Sequence, residues 1–245
     1  MMRLVETAVL EIALEEEGPV DGQPVLLLHG WPDAPRGWRP VVKRLHQRGW
    51  RTIVPALRGS GATRFRSPGT RRDGRGIALA GDAIDLLDVL DLDRVAVVGH
   101  DWGAGAAYTI AAVAPERIDA IVALALPYQP RGAFTIPPFE QARAFWYQWL
   151  MYLDAGARAV ANEPRDPRYE PLAQRLAQVE YIQIPTLMIQ GAEDRGDEPA
   201  GSADLQRYFA SYRRVLLDGV GHFPHREAPD AVAEAIHRHL SVTPD

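Results

Sequence analysis

The sequence contains no cysteine, which excludes a disulfide framework, thiolate chemistry and cysteine-based zinc sites. It has no excess of basic charge: the formal net charge is -5, so no polycationic face is expected for nucleic acid or anionic lipid. No apolar run approaches the length of a membrane span, and Met1–Glu6 has no apolar signal-peptide region. These absences favour a cytoplasmic protein that binds neither nucleic acid nor membranes.

What the chain does contain is a regular alternation of short apolar runs and amphipathic stretches. Its 245 residues, 47% of them hydrophobic, suffice for one sizeable α/β core and a modest insertion. Strand and helix alternate, which predicts a mostly parallel sheet with helices on both faces. Strands are predicted over Thr7–Glu16 (an edge hairpin), Pro24–His29, Thr52–Leu57, Arg94–Gly99, Ala120–Leu126, Thr186–Gln190 and Arg214–Leu217, and helices over Trp38–Arg48, Ile77–Leu90, Ala104–Ala114 and Asp230–Leu240.

Two further expectations concern the segments between the strands. The glycine-rich, basic stretch Arg58–Pro68 is predicted to be a loop, and Asp82, Asp85 and Asp88 are expected on the solvated face of their helix. From Pro127 to Val179 the alternation stops, and prolines and aromatic residues replace it. We therefore expect an inserted helical segment over 128–179, with the core formed by 1–127 and 180–245.

The central motif is Gly99-His100-Asp101-Trp102-Gly103, between a buried strand and an alanine-rich helix. A nucleophile flanked at both sides by small residues is typical of a nucleophile elbow, where the strand turns directly into the helix. The central residue here is Asp101 and not serine. A carboxylate attacks a carbon that carries a leaving group or belongs to a strained ring, and the resulting ester must then be hydrolysed.

Together with His29-Gly30-Trp31-Pro32, this motif resembles the α/β-hydrolase superfamily, and more narrowly the epoxide hydrolases and haloalkane dehalogenases. The resemblance extends over most of the chain, and the order of the motifs makes it specific. It implies an α/β-hydrolase fold with a short helical cap inserted after the sixth strand. It also implies a catalytic triad of nucleophile, acid and histidine in that order along the chain.

The base predicted to activate water is His222, in the glycine-rich loop Gly219–Pro224 after the last predicted strand. His225, His237 and His239 are the competing histidines, and the last two are expected to face solvent. The acid that orients His222 is predicted to be Asp194, because Gly191-Ala-Glu-Asp194 matches the family's Gly-X-X-Asp. Glu193 and Asp197 are the alternatives to Asp194, and both are expected to be acids of the protein surface.

The remaining predicted site residues follow from the resemblance. The backbone N–H groups of Trp31 and Trp102 are expected to form the oxyanion hole, with both side chains in the pocket wall. His29 and His100 are expected to be structural. In the resembled enzymes cap tyrosines protonate the leaving alkoxide, which makes Tyr147 the favoured donor and Tyr169 its partner, with Tyr152 and Tyr128 as alternatives. Phe145, Gln148 and Tyr128 complete the predicted substrate-binding residues, with Trp31 and Trp102.

These residues predict an epoxide hydrolase that acts on a small apolar substrate without metal or organic cofactor. One alternative is a haloalkane dehalogenase with the same triad, in which the Trp102 indole and Trp146 or Trp149 bind the halide. Another is a hydrolase scaffold that binds a ligand without turning it over. The oligomeric state expected is a monomer or a homodimer.

Overall fold

The structure, a computed structural model, describes residues 2–129 and 165–242, and it contains a nine-stranded sheet. The strands are β1 (Met2–Glu6), β2 (Leu10–Glu17), β3 (Pro24–Leu28), β4 (Arg51–Pro55), β5 (Arg64–Phe65), β6 (Val95–His100), β7 (Ile118–Leu124), β8 (Thr186–Gly191) and β9 (Tyr212–Leu217). The helices are α1 (Arg39–His46), α2 (Gly76–Val89), α3 (Trp102–Val113), α4 (Glu170–Leu176), α5 (Pro224–Glu227) and α6 (Pro229–Val242).

The strand order is β1-β2-β4-β3-β6-β7-β8-β9, with β5 paired to β2. From β4 to β9 every pairing is parallel, whereas β1, β2 and β5 pair antiparallel at one edge. This arrangement confirms the predicted fold class. The carboxyl ends of the parallel strands lie on one edge, which is where open α/β sheets bind their ligands.

Side chains alternate between the two faces of the sheet, so β3, β4, β6, β7 and β8 each contribute to two separate cores. Leu26 and Leu28 pack in a cluster with apolar residues of α2 and α3. Their neighbours Val25 and Leu27 pack in a second cluster with α1 and α6. Within the described residues, no helix is long and apolar enough to cross a membrane.

Four local predictions need correction. The sequence pattern predicts the edge hairpin over Thr7–Glu16, but its turn lies at residues 7–9, and most of that stretch is the single strand β2. The loop over 58–68 contains β5, which is too short to leave an alternating pattern. Asp82 is buried because its carboxylate pairs with Arg58, and His239 is buried because its ring bonds to Arg213 and to the carbonyl of Pro185.

The predicted cap, 128–179, is described only at its two ends, so its domain boundaries stay a prediction. The described C-terminal part includes Tyr169 and α4, which pack against α2 and α3 of the core. Gly81 of α2 makes this approach possible, since a Cβ there would lie 2.5 Å from Cε1 of Tyr169.

Candidate active site

Asp101 occupies the sharp turn between β6 and α3, with φ 52° and ψ -118°. A positive φ is rare for a residue with a side chain and is tolerated where the surroundings enforce it. The turn is held by its own main chain, because the carbonyl of Asp101 accepts hydrogen bonds from the N–H groups of Ala104 and Gly105. It is also tight: a Cβ on Gly99 would lie 2.2 Å from the carbonyl oxygen of Gly103.

Two backbone N–H groups address the Asp101 carboxylate. The N–H of Trp31, in the loop after β3, donates to Oδ1 at 2.8 Å. Burial would raise the pKa of Asp101, but hydrogen bonds from His222 and from the N–H groups of Trp31 and Trp102 outweigh it and lower the pKa. Two backbone donors at one carboxyl group are what an oxyanion hole requires.

His222 lies in the loop after β9, between the carboxylates of Asp101 and Asp194. Its Nδ1 bonds to Oδ2 of Asp194 at 3.0 Å, and its Nε2 lies 3.7 Å from Oδ2 of Asp101. Burial alone would lower the pKa of His222, but hydrogen bonds and charges from the two aspartates raise it to about 10. The imidazole is therefore protonated near neutral pH.

The loop that carries His222 is held by hydrogen bonds to the side chains of Glu227 and His100. The Glu227 carboxylate accepts the N–H groups of Gly221 and Phe223 at 2.8 and 2.9 Å, which shapes the turn around His222. Nε2 of His100 bonds to the carbonyl of His222 at 2.7 Å. Burial and the neighbouring His225 and His222 lower the pKa of His100 to about 3, so this ring is neutral and serves as a donor.

Asp194 is the acid at the end of β8, and its side chain is fully buried. Its Oδ1 accepts the N–H groups of Gly196 and Asp197 at 2.9 and 3.1 Å, and its Oδ2 accepts the side-chain amide of Gln190 at 2.9 Å. The alternative Glu193 is exposed. Asp197 is buried, contrary to its expected place on the surface, and burial raises its pKa to about 7.

The structure does not bring Tyr169 to this group, which corrects its prediction as a proton donor. Its hydroxyl donates to Oδ1 of Asp82 at 3.3 Å and accepts a hydrogen bond from Arg58. The residue is 2% exposed, and burial together with Asp82 raises its pKa to about 12. Tyr169 therefore ties the chain that returns from the insertion to α2.

The other aromatic predictions divide into two groups. Tyr128 packs on the rings of Tyr108 and Phe209, at centroid distances of 5.3 and 5.1 Å, and is not among the residues that line the cleft described below. The predictions for the insertion lie outside the described residues: Phe145, Trp146, Tyr147, Gln148, Trp149 and Tyr152.

A cleft of about 290 Å³ opens beside the loop after β3. Trp31 and Trp102 line it and are the exposed aromatic residues of its wall, at 38% and 54%. His29 also lines it but is held by the main chain and by Ser60, through bonds of 2.9 and 3.1 Å. The described lining also includes the charged Asp33 and Arg58, and Trp31, one of the lining residues, bonds to the Asp101 carboxylate through its N–H.

Sequence reasoning missed Gln190 and the pair formed by Asp33 and His225. Oδ2 of Asp33 accepts from Nε2 of His225 at 2.8 Å, which links the loop after β3 to α5. Among the described residues, Asp33, His100 and His225 form a cluster that could hold a metal ion, because their ligand atoms all lie within 4.8 Å of one another. Two ligands of one zinc ion lie about 3.3 Å apart when their bonds to zinc are about 2.0 Å. Nε2 of His225 and Oδ2 of Asp33 are closer, at 2.8 Å, and this shorter distance fits a hydrogen bond.

The alpha/beta hydrolase fold family matches residues 23–180, and the chain belongs to that family. Within it, the chain is similar to epoxide hydrolases. An epoxide hydrolase of Caballeronia sordidicola is 34% identical over 159 residues, 65% of this chain and 46% of that protein. Epoxide hydrolase 3 of Siraitia grosvenorii is 39% identical over 134 residues, 55% of this chain and 40% of that protein.

The match thus spans less than half the length of these two curated relatives. Among solved structures, a candidate epoxide hydrolase of Klebsiella pneumoniae superimposes with a TM-score of 0.86 at 30% identity, over 98% of this chain and 97% of that one. The epoxide hydrolase VrEH1 of Vigna radiata shares the fold, with a TM-score of 0.74 at 22% identity over 98% of each chain.

Proposed function

We propose that the protein hydrolyses epoxides to vicinal diols through a covalent ester on Asp101. The observation that carries the proposal is the position of the Asp101 carboxylate, with Oδ1 bonded to the Trp31 N–H and Oδ2 3.7 Å from Nε2 of His222. A carboxylate at an elbow cannot act as an esterase serine does, but it can open a strained ring. The similarity to epoxide hydrolases supports the same chemistry.

In the first step, Oδ2 of Asp101 attacks an oxirane carbon, and the bond from that carbon to the ring oxygen breaks. The ring oxygen leaves as an alkoxide that takes up a proton. Tyr147 is the proposed donor of this proton, and it lies outside the described residues. The carboxylate charge disappears as the ester forms.

In the second step, His222 removes a proton from water, and the water oxygen attacks the ester carbonyl carbon. The N–H groups of Trp31 and Trp102 stabilise the oxyanion on Oδ1. The bond from the carboxyl carbon to the alcohol oxygen then breaks, the alcohol takes the proton from His222, and the diol leaves. Asp194 holds the imidazole in place and stabilises its protonated form.

Ester formation itself prepares His222 for this role. In the free protein Asp101 and Asp194 together raise the pKa of His222 to about 10, which suits a cation and not a base. Esterification removes the charge of Asp101 and one of the two causes of that rise. The imidazolium then loses its proton to solvent more readily, and the Tyr147 phenolate formed in the first step takes up a proton from solvent, so the base becomes available only after the first step.

A single turnover in heavy-oxygen water, with enzyme in excess over a small aryl epoxide, tests the proposal. We expect one heavy oxygen in the peptide that contains Asp101 and none in the first diol, because the diol oxygen comes from the carboxylate. Heavy oxygen in the diol alone would contradict the covalent route. Asp101→Asn should form no diol.

A haloalkane dehalogenase with the same triad is the second candidate, favoured by the two exposed tryptophans of the cleft. A panel of epoxides and haloalkanes separates the two activities by the product released, diol or halide. A scaffold that only binds its ligand would label nothing, although all three triad side chains are present and in contact.

A further inference from the structure

Gln190 is a polar side chain near the carboxyl end of an inner strand of the sheet. It belongs to β8, which is paired on both sides by β7 and β9, and it is fully buried like Met188 and Ile189 before it. A buried amide destabilises the fold unless it is hydrogen-bonded. The hydrogen bonds of the Gln190 amide must therefore offset the cost of its burial.

The Gln190 amide acts only as a donor among the described residues. Its two protons have two close acceptors, Oδ2 of Asp194 at 2.9 Å and the carbonyl oxygen of Asp197 at 3.1 Å. The carbonyl of Ala125 is farther, at 3.5 Å. Oε1 of Gln190 is buried and has no hydrogen-bond partner in the part of the chain that the structure describes.

These contacts place Gln190 behind the carboxylate that holds His222. Oδ2 of Asp194 accepts from the Gln190 amide on one side and from Nδ1 of His222 at 3.0 Å on the other. The second amide bond holds Asp197, whose N–H donates to the other carboxylate oxygen. One side-chain amide thus fixes both the position of the carboxylate and the turn that carries it.

We propose that Gln190 is a positioning residue for ester hydrolysis, acting through Asp194 on His222. This inference rests on the proposed function, in which ring opening uses Asp101 and Tyr147 and does not use Asp194 or His222. Loss of the amide donors should therefore leave ring opening unchanged and slow the release of the diol. Partners that hold a ligating or catalytic group from behind typically contribute about 10- to 100-fold to activity.

Gln190→Met keeps the length of the side chain and removes both donors. We expect kcat to fall about 10- to 100-fold and KM to fall with it, so that kcat/KM stays near the value of the unchanged protein. The ester should accumulate, and intact-protein mass spectrometry of acid-quenched samples would detect it. Ile189→Val, an apolar change at the adjacent position of β8, is the matched control and should change neither kcat nor ester level.

Gln190→Glu gives a second readout that a purely structural role would not produce. An ionised glutamate would repel Asp194, whereas a protonated one can donate its O–H to the same oxygen. We expect the rate of ester hydrolysis in Gln190→Glu, divided by that of the unchanged protein at the same pH, to rise as the pH is lowered. If Gln190→Met does not fold, this pH profile alone decides the question, and a profile parallel to that of the unchanged protein would overturn the inference.

His222→Gln separates failure of this inference from failure of the proposed function. Under the proposed function, His222→Gln accumulates the ester with an epoxide substrate. If it does so and folded Gln190→Met does not, Gln190 has no positioning role. If neither variant forms an ester, the covalent mechanism itself is wrong.

Discussion

The backbone N–H of Trp31 donates to Oδ1 of Asp101 at 2.8 Å, across 70 positions of the chain. Gly30 makes this approach possible, since a Cβ at Gly30 would lie 2.4 Å from both Cβ and Oδ1 of Asp101. Because Gly30 has no side chain, the loop after β3 can lie directly against the Asp101 side chain of the elbow after β6.

Gly30→Ala should displace the Asp101 carboxylate from its donors. A shift of about 1 Å at a reacting group costs roughly 100-fold in rate, and we expect a loss of at least that order in epoxide turnover. Gly76→Ala is the control, because nothing lies within 4 Å of a Cβ there. Equal activity of the two variants would show that the fit of Gly30 against Asp101 does not matter.

Asp101→Asn should lower the pKa of His222 from about 10. The cause is the loss of one of the two carboxylates that stabilise the imidazolium. Titration of the His222 ring protons by NMR measures the change, and Asp119→Asn removes an equal charge at an exposed position as a control. An unchanged His222 titration in Asp101→Asn would refute the coupling on which the second step depends.

The same pKa predicts how stability varies with pH. A histidine whose pKa is raised by folding contributes stability that is full below its unfolded pKa of about 6.5 and is lost as the pH rises through about 10. The free energy of unfolding should therefore fall between these values, and less so in Asp101→Asn. Urea unfolding at pH 6, 8 and 10 measures this.

Asp197→Asn should stabilise the protein at alkaline pH. Burial raises the pKa of Asp197 to about 7. The positive charge of His222 lowers this pKa, and the negative charges of Asp194 and Asp101 raise it. The unfolded chain loses this proton near pH 4, so the folded state loses stability as pH rises from about 4 to about 7, by up to about 4 kcal/mol. Asp197→Asn should avoid that loss.

Urea unfolding at pH 4.5 and pH 8 would show the effect of Asp197→Asn as a difference that grows with pH. Glu193→Gln, an exposed acid of the same turn, is the matched control and should show no such growth. A gain in Asp197→Asn that is the same at both pH values would argue that the carboxyl is ionised throughout.

Tyr169→Phe should reduce stability and leave ring opening intact. Removing the hydroxyl deprives Arg58 and Asp82 of a buried partner, which should destabilise the fold by about 1–3 kcal/mol. Tyr212→Phe, which removes another hydrogen-bonded hydroxyl, is the control. If Tyr169→Phe lowered the rate of ester formation tenfold or more, the tyrosine would act on the substrate after all.

The grouping of Asp101, Asp194 and His222 could be predicted because each follows a parallel strand and carries a local glycine signature. Sheet topology then brings the strand ends to one edge. Local sequence shows strands, glycines and motif order, so the fold class and the elbow followed from it.

The errors at Asp82 and Tyr169 share one physical cause, which is a polar partner far away in sequence. The helical pattern puts Asp82 on the solvated face, but Arg58, 24 residues earlier, pairs with it and buries it. Tyr169 matches a cap tyrosine in position, but its hydroxyl bonds to that same pair. Gln190 lies in an apolar strand, and only the fold shows that Asp194 lies within reach of its amide.

The hydrogen bond between Asp33 and His225 has a consequence for substrate range. It fastens the segment that bears Trp31 to the segment that bears His222, although 192 positions separate the bonded residues. The bond thus restrains Asp33, which lines the cleft, and with it the loop that bears Trp31. Accommodation of bulkier molecules must come from the exposed rim, so selection for new substrates should alter Trp31 and Trp102 before any residue beneath them.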